Sequence, residues 1–206
     1  MTKQDVREPR SKGRNGVAVV AGVLAVLVLV GVGGAAGFKW WQERTGGFAL
    51  AGERLREFPE IDRTGLSETQ GRILTVAERE FEAQNPGTKY SEGIDEAWCA
   101  DFVSWVMRES GRPLANPNSG SWRIPGVYTL EEYYRGESRF EDLGYQPRIG
   151  DVVMYTAASV FNQHTNIVID VAGDTITTLG GNEFDEITIH RYRPADVSGL
   201  VGFGRL

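Results

Sequence analysis

The distribution of apolar residues divides this 206-residue chain into stretches of different character. Gly16 to Phe38 is an uninterrupted run of 23 uncharged residues, mostly Val, Ala, Leu and Gly. About 20 apolar residues span a bilayer as a helix. Further on, Ile73, Leu74, Ala77 and Phe81 recur at helical spacing behind Ser67-Glu68-Thr69-Gln70, a capping-box pattern. This predicts a helix over 68–84, stopped by Asn85-Pro86-Gly87. Cys99, Phe102, Val103, Val106 and Met107 share one face of a second predicted helix, which ends at Ser110-Gly111. Residues 112–127, rich in Pro, Gly, Asn and Ser, read as a loop, and 129–135 as a short helix. After Pro147 and Gly150-Asp151 the pattern turns β-branched, giving strands at 152–155, 165–171 and 175–179, with weaker ones at 187–191 and 201–204. Helices followed by antiparallel strands make an α+β fold, with the Cys99 helix packed on the sheet.

Charge changes the reading of the first apolar run. Lys3, Arg7, Arg10, Lys12 and Arg14 precede it, whereas Lys39 and Arg44 alone follow closely. The excess of basic residues ahead of the run predicts a cytoplasmic N-terminus and an exported C-terminal bulk. Trp40 and Trp41 stand where an interfacial aromatic belt would lie. A cleaved signal ending at Gly34-Ala35-Ala36 is the competing reading, but a cleaved signal has a shorter apolar core of about 7–15 residues. The predicted organisation is a basic cytoplasmic tail over 1–15, a transmembrane signal anchor over 16–38, a stalk over 39–65 and a globular domain over 66–206. The expected location is the cell membrane, single-pass.

Of the formal charge of −6, residues 39–206 carry −9, from 17 basic and 26 acidic groups. Such a domain is a poor partner for nucleic acid. Neither a His-Glu-x-x-His string nor clustered Cys and His ligands mark a metal site, and no cofactor is expected.

The candidate chemistry rests on a lone thiol. Cys99 cannot form an internal disulfide, and it stands at a helix start, where a thiol ionises more readily. A free cysteine on an apolar helix face is also what a packed core thiol looks like. His164 opens a β-branched run and can supply a base. The other histidine, His190, reads as a surface strand residue. Asn182 can orient the His164 ring if a hairpin carries it there, with Glu183 and Asp185 as substitutes; a plain turn at Gly180-Gly181-Asn182 is the alternative. Asp151 reads as a turn residue before a strand. Trp98, Trp105 and Trp122 can line a cleft; Trp105 fits the core better, leaving Trp98 and Trp122 as candidate substrate contacts.

Four ordered blocks carry a resemblance: Trp98-Cys99-Ala100-Asp101-Phe102-Val103-Ser104-Trp105, Pro147-x-x-Gly150-Asp151-Val152-Val153, His164-x-x-Ile167-Val168-Ile169, and Gly173-Asp174-Thr175-Ile176-Thr177-Thr178. Together they resemble CHAP domains, the cysteine, histidine-dependent amidohydrolases/peptidases, over roughly residues 67–206. The resemblance implies a papain-like α+β fold, Cys99 as nucleophile and His164 as base. It also implies a cysteine peptidase or amidase that cuts amide bonds of bacterial peptidoglycan during wall remodelling, with division or wall-synthesis proteins as further partners. The chain departs from the family in two places. Where relatives have a Glu-Gly-Asn string it has Gly180-Gly181-Asn182, which leaves Asn182 as the orienting group and leads one to expect that Gly180→Glu raises activity. Thr165 and Asn166 follow the histidine in place of small or apolar residues. These departures motivate the competing reading, a catalytically weak module that binds the wall or a division complex.

Overall fold

The computed structural model describes residues 50–206. The predicted tail and membrane segment lie outside the described residues. Among the described residues no helix is long and apolar enough to cross a membrane.

Helix α1 runs over Glu68–Ala83, α2 over Cys99–Glu109 and α3 over Val127–Gly136. The strands are β1 (Glu53–Leu55), β2 (Phe140–Glu141), β3 (Val152–Tyr155), β4 (His164–Ala172), β5 (Thr175–Glu183), β6 (Glu186–Tyr192) and β7 (Leu200–Gly204). They form one sheet in the order β1-β6-β5-β4-β3-β7-β2, and every pairing is antiparallel. The α+β class expected from the sequence is therefore present.

Local chemistry sets the ends of α1. Gln70 N–H donates to Ser67 Oγ at 3.3 Å and Ser67 N–H donates to Gln70 Oε1 at 3.0 Å, which closes the capping box. At the other end Gln84 turns left-handed, with φ 46°. Its amide then imitates a backbone group: Gln84 Nε2 donates to Ile187 O at 2.8 Å and Gln84 Oε1 accepts from Ile187 N–H at 3.0 Å, pinning α1 to β6.

Alternation along the strands separates two apolar layers. Val152, Met154, Ile167, Ile169, Leu179 and Ile189 face the helices, where they meet Ile73, Leu74, Phe102, Val103 and Val106. Val153, Tyr155, Val168 and Phe203 point the other way and pack with Phe161 and Tyr192. At about 25 cal/mol per Å² of apolar area removed from water, both layers favour this register, and a slip of one residue would invert both at once.

Two strands differ from expectation. Strand β1 lies inside the stretch read as a stalk, yet it pairs with β6 through Glu53↔Arg191, Arg54↔His190 and Leu55↔Ile189. Strand β5 does not stop at Leu179 but continues to Glu183, with a bulge between Gly180 and Glu183. The turn is Phe184-Asp185, with φ 57° and 61°, between the paired Glu183 and Glu186. Two residues with positive φ form a type I′ hairpin turn. Gly180-Gly181 serve a different purpose, described below.

Asp151 stands at the turn that leads into β3, its N–H donating to Arg148 O at 3.0 Å. Its buried carboxylate accepts from Arg148 N–H at 2.7 Å, Leu206 N–H at 2.9 Å and Tyr145 Oη–H at 3.0 Å. It joins the turn before β3 to the last residue of the chain.

Candidate active site

Helix α2 places Cys99 at its first residue. Trp98, at the cap position, makes no side-chain bond to the helix start. The next turns of α2 are buried without interruption from Cys99 to Met107, so the helix is held rigidly in the core with its N-terminus toward the sheet. Cys99 itself is 6% exposed.

His164, the first residue of β4, is 4% exposed and lies within hydrogen-bonding reach of the Cys99 thiol. Its Nε2 is 3.0 Å from Glu183 Oε1. An ionised carboxylate only accepts, so Nε2 carries a proton and Nδ1 is left to exchange one with the thiol. The ring of Phe161 stacks on the imidazole at 5.8 Å and 10° and fixes its plane. Burial opposes the charged imidazolium, but the contacts to Cys99 and Glu183 outweigh it and lift His164 to about 10. Burial likewise opposes the Glu183 carboxylate, while bonds from His164 and His190 hold it well below the usual carboxylate range. The site is thus a buried imidazole with a sulfur beside it and a carboxylate on its outer nitrogen, the arrangement in which an imidazole can take a thiol proton.

The acceptor on the ring is Glu183, not Asn182. The bulge in β5 is the reason. It brings Glu183 to the face of the strand that Gly180 would otherwise supply, and it leaves Asn182 at φ 64° and half-buried. Asn182 lines a recess of about 510 Å³ with Gly87, Asp95, Glu96, Trp98 and Asp185. Gly180 leaves the space that the carboxylate fills: a Cβ there would lie 2.5 Å from Glu183 Oε1 and 2.1 Å from Asn166 Oδ1. The expected benefit of Gly180→Glu is therefore reversed. Even Gly180→Ala should displace the Glu183 carboxylate, lowering stability by about 1–3 kcal/mol and turnover by about tenfold or more. Paired melting curves and rate measurements check this.

Trp98 precedes Cys99 in the chain and forms a wall of the recess that Asn182 lines, whose lining includes neither Cys99 nor His164; it is only 3% exposed. It stacks on Tyr90 at 5.3 Å and 22°, and its Nε1–H donates to Asp185 Oδ1 at 3.3 Å. Gly181 is needed for the fit, since a Cβ on it would come within 2.4 Å of the indole. Trp122 is elsewhere. It lies half-buried under the Arg108 guanidinium at 3.9 Å, nine residues along α2 from Cys99, or about 13 Å at 1.5 Å per residue. Trp105 is buried against Tyr90, edge-on at 5.4 Å.

His190 is fully buried, which corrects its reading as a surface residue. Its face of β6 is covered by Phe161, which it meets edge-on at 5.5 Å. Its Nδ1 is 3.0 Å from Glu183 Oε2. Sequence reasoning missed this residue. The alternation Ile187-Thr188-Ile189-His190 gives its face correctly, but nothing local reports that the face is covered.

A family model of the CHAP domain matches residues 89–182. The match includes Cys99 and His164 and ends one residue before Glu183. No curated protein matches the chain. Among solved structures, that of Ly7917 is similar at a TM-score of 0.42 and 16% identity, covering 65% of this chain and 60% of that one. The structure of Ly7917 with the hydrolyzing product of MDP gives 0.38 and 18%, with 66% and 60% covered. The chain therefore spans about 60% of the length of Ly7917.

Proposed function

A CHAP domain runs through residues 89–182 of this chain, and on that premise we propose that the protein is a cysteine hydrolase of papain-like type that cleaves amide bonds in bacterial peptidoglycan. The observation that carries the proposal is the buried sequence of groups from the Cys99 thiol through the His164 imidazole to the Glu183 carboxylate.

In this mechanism His164 Nδ1 takes the thiol proton and the Cys99 sulfur attacks the amide carbonyl. The tetrahedral oxyanion forms at the start of α2, where backbone N–H groups without a side-chain cap can donate to it. As the C–N bond breaks, His164 returns the proton to the leaving amine, and an acyl thioester on Cys99 remains. His164 then takes a proton from water, the hydroxide attacks the thioester, and the proton passes back to sulfur as the carboxylic acid leaves. Glu183 holds the ring in the orientation and tautomer these steps need. The recess lined by Asp95, Glu96, Asn182 and Asp185, with the buried Trp98 as its wall, is assigned to the peptide or glycan flanking the scissile bond. The test is incubation of the purified protein with isolated peptidoglycan and identification of the new termini. New amino and carboxyl ends at one bond support the reading; intact muropeptides overturn it.

We further propose that residues 16–38 anchor this domain outside the cytoplasmic membrane, with the basic tail inside. The 23 uncharged residues and their basic flank support the assignment. The full-length protein should remain in the membrane fraction after a carbonate wash, and a mature N-terminus near Gly37 would instead identify a cleaved signal.

A further inference from the structure

The Glu183 carboxylate is held from both sides. One oxygen receives His164 Nε2–H at 3.0 Å. The other lies 3.0 Å from His190 Nδ1 and also accepts from the Thr188 hydroxyl. The glutamate and both imidazoles are buried: Glu183 is 3% exposed, His164 4% and His190 0%. Without His190 the far oxygen would keep only the Thr188 hydroxyl, a single rotatable donor that also lies 3.3 Å from His190 Nδ1, and the carboxylate would be less firmly held against the ring.

The protonation of His190 follows from its other neighbour. Leu50 N–H donates to His190 Nε2 at 3.3 Å. A backbone N–H cannot accept, so Nε2 is unprotonated and the ring's one proton sits on Nδ1, which faces Glu183 Oε2 at 3.0 Å and Thr188 Oγ1 at 3.3 Å. The segment that supplies this donor is pressed against β6. Gly52 has φ 56°, and a Cβ on it would lie 2.1 Å from Arg191 O. The same phenyl ring, Phe161, lies flat on His164 and edge-on to His190, so neither imidazole can tilt independently.

We propose that His190 is a positioning residue: a neutral imidazole, fixed in one tautomer by the Leu50 N–H, that holds the far oxygen of Glu183 and thereby keeps the near oxygen on His164. The proposal rests on the reading of Cys99 and His164 as nucleophile and base. It extends the site by one residue into β6 and by one backbone donor into the segment ahead of β1. His190 touches no reacting atom, so its loss changes the rate and not the binding of substrate.

Three forms of the full-length protein test this: wild type, His190→Phe, which fills the space without a donor, and His190→Asn, which can restore an N–H near the Nδ1 position. Two readouts are taken, the rate of Cys99 alkylation by iodoacetamide at neutral pH and the kinetics of peptidoglycan cleavage. His190→Phe should lower both the alkylation rate and kcat by about ten- to a hundredfold, with KM unchanged, and His190→Asn should recover most of the loss. If His190→Phe does not fold, Leu50→Pro removes the N–H and leaves both rings, with Leu50→Ala as the control for the side chain packed on the Phe161 layer; Leu50→Pro should lower the alkylation rate by about two- to fivefold relative to Leu50→Ala, a fraction of a full supporting-residue loss. A folded His190→Phe that matches wild type in alkylation, or in its place a folded Leu50→Pro that matches Leu50→Ala, overturns the proposal, as does His190→Asn no better than His190→Phe. The alkylation readout separates this from the hydrolase reading. If wild type cleaves no peptidoglycan, that reading fails while the alkylation series still decides the role of His190.

Discussion

Replacing Cys99 by serine is expected to abolish hydrolysis, by a factor of at least about a thousand, and to leave the fold intact. Serine is close to cysteine in size, so the closely packed start of α2 accommodates it, and the bonds between His164 and Glu183 do not depend on the sulfur. A hydroxyl holds its proton far more tightly than a thiol does, so serine does not form the ion pair with His164 that makes the sulfur nucleophilic. The measurement is turnover on isolated peptidoglycan together with a melting curve. A folded Cys99→Ser protein with wild-type turnover would remove Cys99 from the mechanism.

The second large effect is expected at Glu183. Glu183→Gln keeps the shape but can present its N–H to the ring, favouring the wrong tautomer of His164. Substitutions of this kind lower turnover by roughly a hundred- to ten-thousandfold. Asn182→Ala should leave kcat close to wild type and act on KM, because Asn182 lines the recess and not the ring. The reverse pattern, an inactive Asn182→Ala beside an active Glu183→Gln, would return the orienting role to the amide.

The same variant carries a pH signature. The folded state holds Glu183 below its ordinary value of 4.5, so that contribution is present above about pH 4.5 and lost only in stronger acid. The folded state raises His164 from 6.5 to about 10, so its contribution is complete below pH 6.5 and fades as pH rises toward 10. The two overlap fully between pH 4.5 and 6.5. The difference in Tm between wild type and Glu183→Gln should be largest in that window and shrink toward pH 10. A difference that grows with pH above 6.5 would contradict the charged pair.

Much of this was legible in the sequence because the signals were local. Ser67 and Gln70 announce the start of α1, and Asn85-Pro86-Gly87 follow its end within two residues. The apolar spacing after Cys99 gives α2, and the β-branched run after His164 gives β4. The sequence signals failed where a local pattern had a tertiary cause. Gly180-Gly181 looks like a turn, but both glycines lie within β5: one makes room for the Glu183 carboxylate and the other for Trp98 and Phe102. The true turn, Phe184-Asp185, contains no glycine to mark it. For the same reason nothing local announces that the carboxylate three residues after Gly180 is the one that lies on His164. Strand β1 spans three residues, too few for a period to appear, and its pairing with β6 is visible only once both ends of the domain meet.

That pairing also has a mechanical consequence. Any load applied to the chain ahead of Leu50 enters the domain at the segment whose backbone N–H is bonded to His190. A pull from that end acts on that bond and on the three residue pairs that hold β1 to β6 at the edge of the sheet. The edge of the fold that takes such a load is thus joined, through two imidazoles and one carboxylate, to the sulfur of Cys99.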